Sequence, residues 1–143
     1  NYNNNPETIS LYHYIGEMIS NYGCYFNTNL KDKNMTLKEL SVLLRIRFDD
    51  ISSQQDLVEV FKESDAYIAK LLRKFEDIDY ILRMEDPDNR RKKIVKLTEK
   101  GIEKTNELIS IIDSWEKDIT SDLTDEEVIT LKKILFKIII MED

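Results

Sequence analysis

Cysteine, histidine, glycine and proline are scarce in this 143-residue chain, and each scarcity excludes something. A single cysteine, Cys24, excludes an internal disulfide and fits a reducing cytoplasm. One histidine, His13, beside that lone thiol leaves no ligand set for a metal, because zinc sites gather several such side chains at short spacings. With 3 glycines there is no glycine-rich phosphate loop. Neither a GxSxG elbow nor a paired His/Asp constellation is present, so the sequence lends no support to an enzyme. No run of about 18 apolar residues is available to span a membrane. The first thirty residues lack the basic-then-apolar order of a signal peptide. Neither cofactor nor metal is expected.

What remains is a charged chain that favours helices. Charged residues make up 34% against only 3 Gly and 2 Pro, while 41% apolar residues suffice for one packed domain across 1–143. The net charge of −7 argues against indiscriminate polyanion binding. Its distribution is uneven. From Ser64 to Gly101 there are 10 Lys/Arg against 8 Asp/Glu, while the remainder carries 11 against 20. The middle of the chain is cationic relative to its flanks.

The cations concentrate in one place. Arg90, Arg91, Lys92 and Lys93 follow an Asp86-Pro87-Asp88-Asn89 turn and precede Ile94-Val95. A turn followed by a β-branched run predicts the tip and return arm of a β-hairpin, with Tyr80–Met84 and Lys92–Leu97 as its strands. Alternation places Ile94 with Lys96 on one face and Val95 with Leu97 on the other. Cations gathered at a hairpin tip make a poor core element and a good probe of a phosphate-lined groove.

Helical spacing accounts for most of the rest. Ile9, Tyr12, Ile15, Met18 or Ile19, and Tyr22 mark a first helix, followed by a polar loop from Asn27 to Asn34. Thr36 and Glu39 form a capping box for a helix that buries Leu37, Leu40, Leu43 or Leu44, and Phe48. Ser52-Ser53 caps a short helix carrying Leu57, Val58 and Phe61. Lys62-Glu63-Ser64 breaks the chain, and Ser64 or Asp65 caps a helix carrying Ile68, Leu71 or Leu72, and Phe75. Two short helices joined in this way predict a helix-turn-helix. Thr98 caps a long helix with Ile102, Leu108 or Ile109, Ile112, Trp115 and Ile119. Thr124 and Glu127 cap the last, which ends Ile138-Ile139-Ile140-Met141. A helix apolar on more than one face is buried on more than one face, and a second copy of the chain is the expected cover. The predicted fold is mainly α with a small β-hairpin wing.

This order of elements resembles the MarR family of winged-helix regulators (multiple antibiotic resistance regulators). Ser53–Phe61 fits the first helix of the motif and Ala66–Glu76 its recognition helix. Arg83, Asp86–Arg91 and Leu97–Gly101 fit the wing and the start of the long dimer helix. Three positions depart from the family pattern. Asp79 stands where many members have Gly, Asn89 where an Asp is common, and Ala69 where many place Thr. Asp tolerates the left-handed turn that the Gly position implies. Asp86 or Asp88 is expected to replace the missing salt-bridge partner of the wing arginines.

The resemblance implies a winged helix-turn-helix DNA-binding part over 36–100 and a helical dimerisation part over 1–30 and 101–143. It implies a homodimer on double-stranded, pseudo-palindromic operator DNA, acting as a transcriptional repressor. A small aromatic or lipophilic effector would shift the dimer between two states. Arg90 and Arg91 are expected in the minor groove, whose negative potential favours arginine, and Lys92 and Lys93 on phosphates. Ala66, Tyr67, Lys70, Arg73 and Lys74 are expected to face DNA from the recognition helix, and Ser53 and Gln55 from the helix before it. Tyr12, Tyr22, Phe26, Phe48 and Trp115 supply the aromatic surface for an effector.

Plainer readings stand beside these. Ser53 serves equally as a bare N-cap, Tyr67 as a half-buried ring, the aromatic stripe as core, and His13 as a core-edge or interface residue. Cys24 reads as a buried or inert thiol, or as an oxidation sensor. The alternative to a DNA-binding regulator is a winged helix that binds protein and has lost DNA, which the charge of −7 and Asp65 at the recognition-helix start favour.

Overall fold

Caps decide where the helices begin. In the computed structural model, which describes residues 5–32, 34–49 and 52–141, the first helix, α1 (Leu11–Asn29), starts behind Ser10, whose hydroxyl accepts from the Tyr12 amide. A single 3-10 turn, Pro6–Thr8, precedes it. The second, α2 (Leu37–Phe48), opens on the Thr36–Glu39 capping box that the sequence announces. Strand β1 (Ser52–Ser53) leads into α3 (Gln54–Phe61), where Ser53 and Asp56 form a second box. Ser64 caps α4 (Asp65–Asp77). The hairpin is β2 (Ile81–Asp86) and β3 (Asn89–Leu97). Then follow α5 (Glu99–Ile119) and α6 (Asp125–Ile140), the latter behind the Thr124–Glu127 box.

The chain divides into two compact units, one running to Ile111 and one from Ile112. In the first, the core gathers Phe26 and Leu30 of α1 and its end, Leu40, Val42, Leu43 and Ile46 of α2, Leu57 of α3, Ile68, Leu72 and Phe75 of α4, and Ile81, Val95 and Leu108. Their burial against one another holds the helix-turn-helix and the wing as one body. In the second unit, α6 leaves Ile134, Leu135, Phe136, Ile138, Ile139 and Ile140 exposed in a single protomer. The Ile9–Tyr22 stripe behaves likewise: Tyr12, Ile15, Met18 and Ile19 are exposed, Tyr12 at 80%. Among the described residues no helix is long and apolar enough to cross a membrane.

Several expectations are corrected. Helix α1 continues to Asn29, three residues into the expected loop, with Thr28 and Asn29 side chains donating to the Cys24 and Tyr25 carbonyls. Phe48 is not buried but 68% exposed, because α2 ends there and the core lies on the side of Leu40, Leu43 and Leu44. Helix α5 buries Gly101, Lys104, Thr105, Leu108 and Ile111, whereas Ile102 lies outside. Gly101 sets that rotation: a Cβ there would stand 2.1 Å from the Tyr80 carbonyl oxygen, so only glycine allows α5 to meet the start of β2 this closely. Arg47 ties α2 to the same face, donating to Thr105 Oγ1 at 3.4 Å. Thr98 caps α5 as expected, accepting from the Gly101 amide and donating to the Asp79 carbonyl.

The hairpin is longer than its apolar run suggests, and it is joined by a third strand. The sheet order is β1-β3-β2, antiparallel throughout. Because β3 is central, Ile94 and Val95 are both buried although they point to opposite faces. At the tip the register slips. Glu85 pairs with Lys93 and Asp86 with Asn89, so Arg90, Arg91 and Lys92 have no partners opposite and form a bulge. Arg90, Arg91 and Lys92 belong to the strand's bulge, Lys93 to the ladder beside it, and none of them to the turn, which Pro87 and Asp88 form.

Candidate nucleic-acid interface

The turn between α3 and α4 and the turn before the wing fix the geometry of this face. Lys62 takes a left-handed conformation (φ 51°) as α3 stops, so α4 can leave in a new direction from the Ser64 cap. Asp79 does the same (φ 64°) after α4, where the Asp79 and Tyr80 amides donate to Glu76 and Phe75 carbonyls. The departure from Gly at this position is therefore absorbed by Asp in the conformation that Gly would adopt.

Arg83 then locks β2 to both motif helices. Its Nε donates to Glu76 Oε1 of α4 at 2.6 Å, and its Nη1 to Gln54 Oε1 of α3 at 3.2 Å. Its guanidinium forks between two helices, a use that lysine would not serve. The wing is thereby held to the start of α3 and the last turn of α4.

Between them lies a groove of about 370 Å³. One wall is the wing, with Arg91, Lys92 and Lys93; the other is Gln55 of α3 and Asp65 and Ala69 of α4; Ser53, Gln54 and Arg83 complete it. Ser53 is 1% exposed, its hydroxyl engaged with the Asp56 amide. It stands as the cap of α3, with almost no surface to offer a phosphate. Gln55 is exposed and donates to Glu59 at 3.5 Å.

The wing cations are free. Among the described residues, Arg90, Arg91, Lys92 and Lys93 make no ion pair, and all four are exposed. The expected pairing of the arginines with Asp86 or Asp88 is absent. Asp86 Oδ1 instead accepts from the Asp88 amide, and Asn89 Oδ1 from the Arg91 amide, so these side chains shape the turn. Arg90 lies outside the residues that line the groove.

On α4 the candidates separate. Ala66, Lys70 and Arg73 are exposed, and neither Lys70 nor Arg73 pairs with a described acid. Lys74 is drawn inward: its Nζ lies 2.6 Å from Glu39 Oε2 and donates to the Asn34 carbonyl at 3.1 Å. It pins α4 to the start of α2. Tyr67 is half-buried, with Lys38 Nζ 5.4 Å from its ring centre; Lys38 also pairs with Glu63. A second cleft beside the groove is lined by Glu39, Tyr67, Lys70, Leu71 and Lys74.

The five aromatic candidates have different surroundings. Tyr22 and Phe26 pack one turn apart on α1, with ring centres 4.5 Å apart. Burial raises the Tyr22 phenol above its ordinary pKa. Tyr12 meets His13 edge-on and lines a shallow cleft with His13, Gly16, Glu17 and Ser20. Phe48 ends α2 in solvent, and Trp115 is half-buried in the second unit. Cys24 is exposed, against the reading of a buried thiol.

Sequence reasoning left Gln54, Arg83 and Asp65 outside the list of site residues. Arg83 was visible only as part of the wing pattern, and Asp65 only as a helix-start acid. Their place in the groove depends on how three elements converge.

Comparison with known proteins follows the same lines. Residues 35–101 match the family model of a winged helix DNA-binding domain. No curated protein sequence is significantly similar. Among solved structures, a crystal structure of MarR is 25% identical with a TM-score of 0.81, covering 95% of this chain and 92% of its own. A cysteine-to-serine variant of MarR from E. coli complexed with operator DNA is 23% identical with a TM-score of 0.73, covering 95% and 98%. PcaV, a transcriptional regulator from Streptomyces coelicolor in complex with its natural ligand, is 15% identical with a TM-score of 0.75, covering 95% and 96%.

Proposed function

We propose that the protein, whose residues 35–101 match a winged helix DNA-binding domain and whose fold is that of the MarR structures, is a sequence-specific transcriptional regulator and not an enzyme. The observation that carries this reading is the groove. Its wing wall presents Arg91, Lys92 and Lys93 with no acid of the described chain paired to them, opposite the N-terminal turns of α4. Exposed cations kept free of partners are available to phosphates, which supply most of the sequence-independent affinity. The adjoining helix start is the part of a recognition helix that contacts base edges. The relative complexed with operator DNA supports the same use of this face.

The working form is a homodimer in the cytoplasm. Support comes from the uncovered apolar faces at both ends of the chain, the α1 stripe and the α6 tail. Apolar surface of that extent on a protomer marks an interaction face, and a closed two-fold dimer covers it twice. Two copies would set two recognition helices one turn of duplex apart, roughly 34–36 Å. Repression is the expected mode. The relative solved with its natural ligand supports control by a small molecule that shifts the dimer between states. Tyr22, half-buried on α1, is the aromatic side chain that such a ligand would meet there, whereas Phe26 beneath it is 2% exposed and serves the core instead of the expected effector surface.

Selection of duplexes from a random library tests the reading. The expected outcome is an inverted repeat with half-site centres about 10–10.5 base pairs apart, bound by two chains. Enrichment of no sequence would refute it.

A further inference from the structure

The groove holds a charge of the wrong sign for DNA. Asp65 lies on the wall opposite Arg91, Lys92 and Lys93, is exposed, and pairs with no cation of the described chain. A carboxylate so placed is repelled by phosphate. If duplex DNA fills the groove, as proposed above, this side chain must meet a hydrogen-bond donor, and the donors there are the amino groups of base edges. Asp65 and Ala69 are four residues apart on α4 and share a face. Ala69 has only a methyl group, so nothing on the next turn holds the base pair away.

We propose that Asp65 is a specificity-determining residue that reads a cytosine in each half-site, its carboxylate accepting from the cytosine N4 amino group. Cytosine is preferred over adenine for a stated reason. Adenine sets its N7 acceptor beside its N6 donor, and that acceptor repels a carboxylate, whereas cytosine shows only the donor. The same code gives the converse: an asparagine side chain has both a donor and an acceptor and matches adenine N6 and N7. The assignment rests on the DNA-regulator reading.

The test uses the full-length protein and the duplex it selects, with each half-site position changed in turn to all four bases. Wild-type protein should lose roughly tenfold or more in affinity when one cytosine per half-site is replaced. Asp65→Ala should flatten the preference at that position alone, and Asp65→Asn should turn it toward adenine. Melting temperatures of all three proteins separate base reading from the acid's effect on the helix start, which would alter stability and leave the base profile untouched. A selected duplex whose profile neither variant changes overturns the assignment of Asp65 alone. A wild-type protein that selects no duplex overturns the regulator reading and this assignment together.

Discussion

Single residues decide whether the parts of this fold can meet. Gly101 is the clearest case, because a side chain there would occupy the space of the Tyr80 carbonyl. Gly101→Ala should cost about 2–3 kcal/mol, from the overpacking and the forced shift of α5. Thermal denaturation should show a fall of roughly 5–10 °C; an unchanged melting temperature would mean that the contact yields freely. Tyr22 gives a pH-dependent test. Its phenol pKa is raised by burial, so the folded state keeps a proton that the unfolded chain releases near pH 10. Its stabilising contribution is complete below pH 10 and is lost as pH rises from there through the folded value. Denaturant melts from pH 8 to 11 should show a decline that Tyr22→Phe lessens; equal slopes would contradict the desolvation of this ring. The residue scale was only partly legible. Asp79 could be read as a left-handed position only through the resemblance, since many members of that family have Gly there, and φ 64° bears that out. The pairing of Lys74 with Glu39 could not be read, because the partners lie 35 residues apart and meet only through the packing of α4 on α2.

At the scale of elements, the groove exists because Arg83 fastens the wing to two helices. Replacing it with Met keeps much of the apolar stem and removes the forked hydrogen bonds to Glu76 and Gln54. Stability should drop by about 1–2 kcal/mol, the usual contribution of hydrogen bonds to charged groups at partly exposed sites. Amide exchange should quicken in β2 and β3, and affinity for the selected duplex should fall. Intact exchange protection in Arg83→Met would show that the sheet holds the wing without help. The elements themselves were legible where chemistry is local. The Thr36–Glu39 and Thr124–Glu127 boxes fixed two helix starts, and the Asp86–Asn89 turn fixed the hairpin. Strand β1 was not legible. Two serines carry no strand signal, and they pair only because α3 delivers them to the free edge of β3. The rotation of α5 was legible only in part: of the expected line Leu108 is buried, but Gly101 turns Lys104, Thr105 and Ile111 toward the core in place of Ile102.

At the scale of the molecule, an acidic protein of net charge −7 is proposed to bind a polyanion. The contradiction is resolved by geometry. Arg91, Lys92 and Lys93 line one groove with no ion-pair partner among the described residues, and charges further away are screened within about 8–10 Å at physiological salt. The apolar faces of α1 and α6 were visible in the sequence as helices with too many hydrophobic positions for one small core. That the cations are free was not visible, since freedom from ion pairs depends on where every acid falls.

The measurement that bears most directly on the central claim is the salt dependence of affinity for the selected duplex, by fluorescence anisotropy, for wild type and Lys92→Ala. The expected wild-type plot of log affinity against log salt is steep, with a slope near −5 or beyond if six or more phosphates are neutralised. Lys92→Ala should make it shallower by about 1 for each protomer bound. A slope near zero, or one that the substitution leaves unchanged, would contradict a phosphate-binding groove and favour a winged helix that recognises protein.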